Sequence, residues 1–277
     1  MPVDGRVREF IRVALEEDIG RGDVTTALTV SPSRVAVAEL VAKQAFVLAG
    51  LPVAREVFRA VDHELDFEAH LAEGAGVKKG QVIAAVTGRV AAILTAERVA
   101  LNILQRLSGV ATLTGKYVDA LKGKKAKVLD TRKTTPGMRQ LEKYAVMVGG
   151  GSNHRFGLDD GILIKDNHIE AAGGITRAVE LARGRKQPFL KIEVECSTEA
   201  QVREALAAGA DIIMLDNMKP ELMKKCVRLI KGRAVVEASG NITLRNIKQV
   251  AATGVDLISV GALTHSAPAA DISLRVK

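Results

Sequence analysis

The chain has 277 residues, of which 47% are hydrophobic and 26% charged, and its formal net charge is +8. At a prior of roughly 150 residues per domain, this length predicts about two domains, each with its own hydrophobic core. Charged residues interrupt every apolar stretch well before the ~18 residues that a membrane span needs, and the amino-terminal residues contain no apolar signal segment. Two cysteines are too few for a disulfide framework. We therefore expect a cytoplasmic protein without a membrane partner.

The positive charge is concentrated in one part of the chain. Between Arg98 and Lys165 there are thirteen basic and five acidic residues, so this segment accounts for the whole excess. Such an excess suits nucleic acid, an acidic membrane or an anionic small molecule. Aromatic residues make up only 3% of the chain, which leaves few stacking surfaces for single-stranded nucleic acid. We expect an anionic small molecule and no nucleic-acid partner; the alternative is a non-catalytic nucleic-acid-binding protein that uses the lysine cluster at residues 122–127.

In chain order, the first part is predicted to mix helices and strands. The apolar spacing of residues 7–18 predicts an amphipathic helix that ends at Gly20. A second helix is predicted at residues 52–61, after Pro52. The longest periodic stretch predicts a helix with Thr95 as its N-cap and Gly109 as its stop. Short apolar runs between glycine-rich turns predict antiparallel strands at residues 35–41, 65–71 and 81–86.

The second part is predicted to alternate strands with helices. Apolar runs predict strands at residues 127–130, 161–165, 190–195, 211–215, 234–238 and 256–260, and residues 145–148 are a candidate for a seventh. Helical patterns lie between them at residues 175–183, 198–209, 220–231 and 243–254. This alternation predicts parallel strands with crossover helices, in an open doubly wound sheet or in a barrel. No GxGxxG motif follows the first of these strands, which disfavours a dinucleotide-binding fold.

Polar residues stand where each of these strands ends. The residues concerned are Asp130, Arg132, Lys133, Lys165, Asp166, Glu195, Asp216, Ser239, Gly240 and Gly261. In barrels and in open parallel sheets alike, the carboxyl ends of the strands carry the active site. The pattern therefore predicts one site at this edge of the sheet.

The early strands supply cations to this predicted site. Arg132, Arg155 and Lys165, joined by Lys133 and His154, suit a substrate with more than one carboxylate. Burying such a dianion requires paired cations, and arginine binds a carboxylate through two parallel hydrogen bonds.

The later strands supply acids and small residues. Glu195 and Asp216 suit a hydrated Mg²⁺ ion or sugar hydroxyls. The loops after the last two strands, at residues 238–243 and 259–266, offer backbone N–H groups to a phosphate. Together with the cations, they predict a site for a carboxylated molecule and a phosphorylated sugar.

Motifs along nearly the whole chain carry a family resemblance. They are EEDIGRGDVTT (16–26), LTAERVALNILQRLSGVAT (94–112), DTRKTTPG (130–137), NHRFGLDDGILIKDNHI (153–169), IEVE (192–195), MLDNM (214–218), ASGNI (238–242) and SVGALTHS (259–266). With them the sequence resembles the quinolinate phosphoribosyltransferases, also called nicotinate-nucleotide pyrophosphorylases (carboxylating). The resemblance implies an α/β fold in which an N-terminal α/β sandwich, residues 1–112 with the tail 266–277, precedes an incomplete seven-stranded α/β barrel, residues 113–265, with the active site at the carboxyl ends of its strands.

The resemblance also implies roles for individual residues. Quinolinate would be bound by Arg132, His154, Arg155 and Lys165, with Arg98 supplied by the partner subunit of a homodimer. The catalytic residues would be Lys133, Glu195 and Asp216, which also serve phosphoribosyl pyrophosphate; Glu195 and Asp216 would hold its Mg²⁺, directly or through water. Its phosphates would be surrounded by Ser239, Gly240, Asn241, Gly261 and His265. Many members have a Gly-Gly pair where this chain has Gly240-Asn241, and asparagine tolerates left-handed backbone angles, so we expect the loop to be kept.

The implied activity is transfer of the phosphoribosyl group to quinolinate with loss of CO₂. The products would be nicotinate mononucleotide, pyrophosphate and CO₂, on the route to NAD. A related family found beside molybdate transport genes shares the fold and some motifs, and the full set of quinolinate-binding cations argues against it. The predicted enzyme is a cytoplasmic homodimer with shared active sites, whose dimers can assemble further.

Overall fold

The computed structural model describes residues 3–277, and contacts within the chain group them into two compact units. The first unit consists of residues 3–115, 135–150 and 266–277, and the second of residues 116–134 and 151–265. No helix in the described residues combines the length and the apolar character needed to cross a membrane.

The first unit is built on a small antiparallel sheet. Its helices are α1 (Gly5–Ile19), α2 (Val24–Thr29), α3 (Leu51–Val61), α4 (Val90–Ala120) and α5 (Arg139–Val148); the last five residues of α4, 116–120, are grouped with the second unit. Its strands are β1 (Val35–Ala42), β2 (Phe46–Val47), β3 (Asp66–Ala69), β4 (Gly76–Val77), β5 (Val82–Arg89) and β12 (Ile272–Val276). Four strands pair in the order β12-β1-β5-β3, and β2 pairs with β4. The carboxyl-terminal strand therefore completes the sheet of the amino-terminal part.

Helix α1 follows from its capping residues and its apolar spacing. The Asp4 side chain accepts a hydrogen bond from the backbone N–H of Val7 at the start of α1. Val7, Ile11 and Leu15 recur every four residues and are all buried. Gly20 ends the helix with a φ of 54°, as a C-cap glycine commonly does. The predicted helix and its stop are both confirmed.

Helix α4 differs from the prediction at both ends. It begins at Val90, directly after β5, so Thr95 lies inside it and donates its hydroxyl to the Ala91 carbonyl oxygen. Gly109 also lies inside α4. A Cβ atom on Gly109 would be 2.1 Å from the Pro268 carbonyl oxygen. This glycine therefore permits a close backbone approach within the first unit and does not end the helix.

The second unit contains the parallel strands. They are β6 (Lys127–Leu129), β7 (Ile162–Ile164), β8 (Ile192–Cys196), β9 (Ile212–Asp216), β10 (Val235–Ser239) and β11 (Leu257–Ser259). Its helices are α6 (Asp166–Ala172), α7 (Ile175–Arg185), α8 (Glu199–Ala207), α9 (Pro220–Ile230), α10 (Ile247–Ala251) and α11 (Ala262–His265). The strand order is β6-β11-β10-β9-β8-β7, and each neighbouring pair is parallel.

The strands form an α/β barrel that is incomplete on one side. Ser152 makes a parallel bridge to Leu129 on the free edge of β6 and so occupies the place of a seventh strand. Among the described residues, no ladder joins β6 or Ser152 to β7, so the barrel does not close there. The predicted α/β fold with an incomplete barrel is confirmed.

The prediction of a seventh strand at residues 145–148 is wrong. These residues belong to helix α5, because Leu141, Ala145 and Val146 keep the spacing of a buried helix face. A four-residue apolar run fits a strand or a helix equally well. Helix α5 is grouped with the first unit, where its buried Glu142 accepts a hydrogen bond from Arg106 at 2.7 Å.

Candidate active site

A cleft of about 830 Å³ lies at the carboxyl ends of the barrel strands. Its volume is within the usual range of small-molecule sites, roughly 300–1,000 Å³. The residues that line it are Thr131, Arg132, Lys133, His154, Arg155, Leu163, Lys165, Glu195, Met214, Asp216, Asn217, Ser239, Gly240, Asn241, Ile242, Thr243, Ser259, Val260, Gly261, Ala262 and His265. All of them belong to the second unit.

Cations line one side of the cleft. Arg132 follows β6, Arg155 follows the Ser152 bridge, and Lys165 follows β7. The Arg155 guanidinium donates a hydrogen bond to the Gly161 carbonyl oxygen at 2.9 Å. Burial and the positive charge of Arg132 lower the pKa of Arg155 from its ordinary value. Two half-buried guanidinium groups that repel each other would be stabilised by an anion between them.

Two carboxylates also line the cleft. The strand register sets Glu195 beside Met214 and Asp216 beside Ser239, so the two acids stand on neighbouring strands. The Lys165 Nζ atom is 2.6 Å from Glu195 Oε2. Asp216 Oδ2 accepts a hydrogen bond from Asn217 Nδ2 at 2.7 Å. Each carboxylate thus has one oxygen engaged by a neighbouring side chain.

The loop between β10 and α10 turns with left-handed backbone angles. Gly240 has a φ of 90° and Asn241 a φ of 52°. Asn241 Nδ2 donates to Asn217 Oδ1 at 3.0 Å, and Asn217 also has a positive φ of 52°. Asparagine is one of the few non-glycine residues that occupy this region readily. A chain of side-chain amides therefore joins the loop to Asp216.

Gly261 allows the segment after β6 to pack closely against the end of β11. A Cβ atom on Gly261 would be 3.1 Å from Lys133 Cδ and 3.2 Å from the His265 ring. The Thr264 hydroxyl donates to the Lys133 carbonyl oxygen at 2.7 Å. The short turn at α11 thus holds the backbone of Lys133 beside the end of β11.

The cleft brings together all but one of the residues predicted for the site. Those that line it are Arg132, Lys133, His154, Arg155, Lys165, Glu195, Asp216, Ser239, Gly240, Asn241, Gly261 and His265. Arg98 is an exposed residue of α4 in the first unit and is not among the lining residues. Its assignment to a partner's site stays a prediction.

Two buried acids beneath the cleft were not among the predicted site residues. Glu193 on β8 and Glu237 on β10 are both buried. One carboxylate oxygen of each and one ring nitrogen of His154 all lie within 4.8 Å of one another. Burial and the nearby Glu193 carboxylate raise the pKa of Glu237 to about 8. Side chains two residues apart on a strand point to the same face. Glu193 precedes Glu195 by two residues and Glu237 precedes Ser239 by two, so the sequence does indicate that both acids face the barrel interior.

The family models of known proteins match both parts of the chain. The N-terminal domain of quinolinate phosphoribosyl transferase matches residues 23–108, and its C-terminal domain matches residues 110–275. A barrel whose cleft joins cations, carboxylates and small-residue loops agrees with this match. The chain is therefore an enzyme of the phosphoribosyltransferase class.

Similar proteins and structures cover almost the whole chain. The probable nicotinate-nucleotide pyrophosphorylase (carboxylating) of Bacillus subtilis is 48% identical over 260 residues, which are 94% of this chain and 90% of that protein. The mitochondrial quinolinate phosphoribosyltransferase (decarboxylating) 2b of Nicotiana tabacum is 42% identical over 98% of this chain and 82% of its own length. The nicotinate-nucleotide pyrophosphorylase structure from Francisella tularensis has a TM-score of 0.95 at 42% identity, covering 100% of this chain and 98% of that one. This chain belongs to the quinolinate phosphoribosyltransferase family.

Proposed function

We propose that this enzyme transfers the phosphoribosyl group of phosphoribosyl pyrophosphate to quinolinate and releases CO₂ and pyrophosphate. The product is nicotinate mononucleotide, a precursor of NAD. The observation that carries the proposal is one cleft lined both by the cations Arg132, Arg155 and Lys165 and by the carboxylates Glu195 and Asp216. A dicarboxylate needs the cations, and a sugar that develops positive charge at its anomeric carbon needs the carboxylates.

Quinolinate is assigned to the cationic side. Arg132, His154, Arg155 and Lys165 line that side, and Arg155 is already oriented by the Gly161 carbonyl oxygen. Lys165 is paired with Glu195, so a substrate carboxylate would compete for its ammonium group. Exchange of one carboxylate partner for another keeps the lysine paired and limits the cost of desolvating it.

Phosphoribosyl pyrophosphate is assigned to the acidic side and its loops. Glu195, Asp216 and Lys133 would contact the sugar and the pyrophosphate. The phosphates would be surrounded by Ser239, Gly240, Asn241, Gly261 and His265. Glycine at 240 and 261 leaves the backbone open to close approach by phosphate oxygens.

The donor set fits a magnesium ion. Glu195 and Asp216 both offer carboxylate oxygens to the cleft, and hard oxygen ligands are those that Mg²⁺ prefers. When bound, the ion would neutralise charge on the pyrophosphate leaving group. Residues of the chain supply the other charges: Lys133 adds a cation near the pyrophosphate, and the carboxylates of Glu195 and Asp216 stabilise positive charge on the ribose.

The chemistry needs two bond exchanges. In the first, the quinolinate ring nitrogen forms a bond to the anomeric carbon as the carbon–oxygen bond to pyrophosphate breaks, with that electron pair leaving on pyrophosphate. In the second, the carbon–carbon bond to the carboxylate beside the nitrogen breaks, CO₂ leaves, and the pair remains on the ring carbon, which takes a proton. The pyridinium formed in the first step stabilises that pair. Lys133 and Lys165 therefore act only as cations.

We also propose a cytoplasmic homodimer in which each active site is shared. Arg98 lies on α4 and its side chain is exposed, as a residue that serves a partner subunit must be. The resemblance assigns this arginine to quinolinate. It would add one more cation to the partner's cleft.

Calorimetry on two variants tests the division of the site. Arg155→Ala should weaken quinolinate binding directly, whereas Asp216→Ala should abolish turnover and leave quinolinate binding measurable. Arg177→Ala removes an exposed arginine of α7 and serves as the control. Loss of quinolinate binding in folded Asp216→Ala, or normal binding in Arg155→Ala, would contradict the proposed roles.

A further inference from the structure

Beneath the cleft, the barrel interior contains a buried polar cluster that the proposed reaction does not use. Glu193 of β8, Glu237 of β10 and Ser259 of β11 point inward below His154. Glu193 is 4% exposed and Glu237 is 1% exposed. Buried charged side chains are costly unless they are paired, so their partners indicate what the cluster does.

The hydrogen bonds of His154 define the state of its ring. Its Nδ1 atom accepts the backbone N–H of Arg155 at 2.7 Å, so that nitrogen carries no proton. Its Nε2 atom is 3.2 Å from Glu193 Oε2 and 3.6 Å from Glu237 Oε2. Because Nδ1 is an acceptor, a neutral imidazole carries its proton on Nε2, the nitrogen that lies beside Glu193.

The cluster also fixes the backbone on either side of that ring. The backbone N–H of His154 donates to Asp130 Oδ1 at 2.8 Å. Asp130 is fully buried at the end of β6. The Arg155 N–H is held by the ring itself, and the Arg155 side chain is held by Gly161. The path from Glu193 to the Arg155 guanidinium therefore consists of short, directed contacts.

Glu237 is held close to the same ring. The Ser259 hydroxyl donates to Glu237 Oε1 at 2.5 Å. Glu237 Oε2 is 3.6 Å from His154 Nε2, and one ligand atom from each of Glu193, Glu237 and His154 lies within 4.8 Å of the other two. Two adjacent buried carboxylates repel each other, so their spacing depends on contacts such as the one from Ser259. Glu193 also acts electrostatically on the Arg155 guanidinium.

We propose that Glu193 is a positioning residue of the quinolinate site, which orients His154 and Arg155 from inside the barrel, and that Glu237, held by Ser259, keeps Glu193 in place. This inference rests on the proposed assignment of quinolinate to Arg155. Neither glutamate is among the residues that line the cleft. Their effect on binding passes through the imidazole ring and the backbone of Arg155.

Glu193→Gln distinguishes two explanations, because they predict opposite changes in the affinity for quinolinate. If Glu193 only reduced the positive charge of the site, its neutralisation would tighten binding of a dianion. If it positions His154 and Arg155, quinolinate binding should weaken by about two- to thirtyfold, because glutamine can accept from His154 Nε2 only as a neutral group. Binding of phosphoribosyl pyrophosphate should change less than threefold, roughly within the context dependence of a distant substitution. Equal or tighter quinolinate binding would overturn the proposal.

Glu237→Gln is the conservative variant, and Glu237→Leu is its disruptive counterpart. Glutamine can accept from Ser259 and can donate to a neighbouring carboxylate, so quinolinate affinity at pH 7 should stay within about threefold of the wild type. Leucine leaves Glu193 without that partner and should behave like Glu193→Gln. Glu180→Gln removes one exposed charge from α7 and controls for net charge. Equal damage by glutamine and leucine would contradict the role of Glu237 as a hydrogen-bonding partner.

A measurement on the wild-type protein covers the case in which the variants do not fold. Nitrogen-15 NMR of the His154 ring should show a neutral imidazole with its proton on Nε2 at pH 7. A proton on Nδ1 would overturn the proposal. Binding of one divalent ion per chain that is lost in Glu193→Gln would also overturn it, because the carboxylates would then be metal ligands. If wild-type protein fails to bind quinolinate, the proposed function fails; if it binds and Glu193→Gln binds equally well, only this inference fails.

Discussion

Gly240→Ala is expected to disable the phosphoribosyl pyrophosphate side of the cleft. A Cβ atom at this position would be 2.2 Å from Asn217 Oδ1, 2.5 Å from Asn217 Cγ and 2.9 Å from the Asn217 backbone nitrogen. That backbone nitrogen donates to the Ser239 carbonyl oxygen at 3.0 Å, so it is tied to the same turn. Asn217 can only give way by releasing Asp216 and Asn241.

The free-energy cost of the Gly240→Ala substitution follows from these contacts. Alanine at the φ of 90° adds backbone strain, of about 1–2 kcal/mol for a side chain in the left-handed region. Release of three hydrogen bonds adds about 1 kcal/mol each. Because the loop faces the cleft, we expect this total of roughly 4–5 kcal/mol to displace the loop and not to unfold the barrel. A loss of that size corresponds to a fall of about a thousand- to five-thousandfold in kcat/KM for phosphoribosyl pyrophosphate.

Steady-state kinetics with calorimetry would measure the effect. Gly232→Ala is the matched control, because Gly232 has a φ of 75° and a Cβ atom there would meet nothing within 4 Å. The control carries backbone strain without the collision and should keep kcat/KM within a fewfold of wild type. Quinolinate affinity should change little in either variant. A Gly240→Ala enzyme as active as the control would refute the packing argument.

The remaining predictions concern selectivity, pH and the shared site. Nicotinate lacks the carboxylate beside the ring nitrogen and leaves cations unpaired, so its kcat/KM should be at least about a thousandfold lower than that of quinolinate; comparable efficiency would exclude a dicarboxylate site. Burial raises the pKa of Glu237 from 4.5 to about 8. The group therefore contributes stability that is fully present below pH 4.5 and is lost as pH rises through 8. Glu237→Gln should therefore lack a fall of about 1.4 kcal/mol per pH unit across this window in denaturant titrations, and an unchanged slope would contradict the assignment. Arg98→Ala and Lys133→Ala should each be nearly inactive, and after subunit exchange roughly a quarter of the sites should recover; demonstrated exchange without recovery would reject the shared site.

The sequence predicts the cleft because its signals are local. The end of an apolar strand is visible in the sequence, and parallel strands bring their ends together, so residues such as Arg132 and Asp216 can be grouped from their positions along the chain. The alternation of strands and helices predicts the parallel sheet for the same reason. The closure into a barrel is implied by the family resemblance, since periodicity does not distinguish it from an open sheet.

What the sequence does not predict depends on contacts between distant residues. Gly109 has the sequence context of a helix stop, whereas its missing side chain accommodates Pro268 far along the chain. Asn217 takes a left-handed backbone angle and lies directly beside Gly240, which is distant in the sequence. Glu193 and Glu237 face inward by strand parity, but their proximity to each other across β9 and to His154 arises only in the folded barrel.

The central claim is that one cleft joins phosphoribosyl transfer to the loss of a carboxylate. The most direct measurement uses quinolinate labelled with ¹⁴C in the carboxylate beside the ring nitrogen, with phosphoribosyl pyrophosphate and Mg²⁺. We predict that labelled CO₂, pyrophosphate and nicotinate mononucleotide appear in equal amounts, and that no CO₂ is released when phosphoribosyl pyrophosphate is omitted. CO₂ release without the sugar donor, or binding of both substrates with no mononucleotide formed, would contradict the claim.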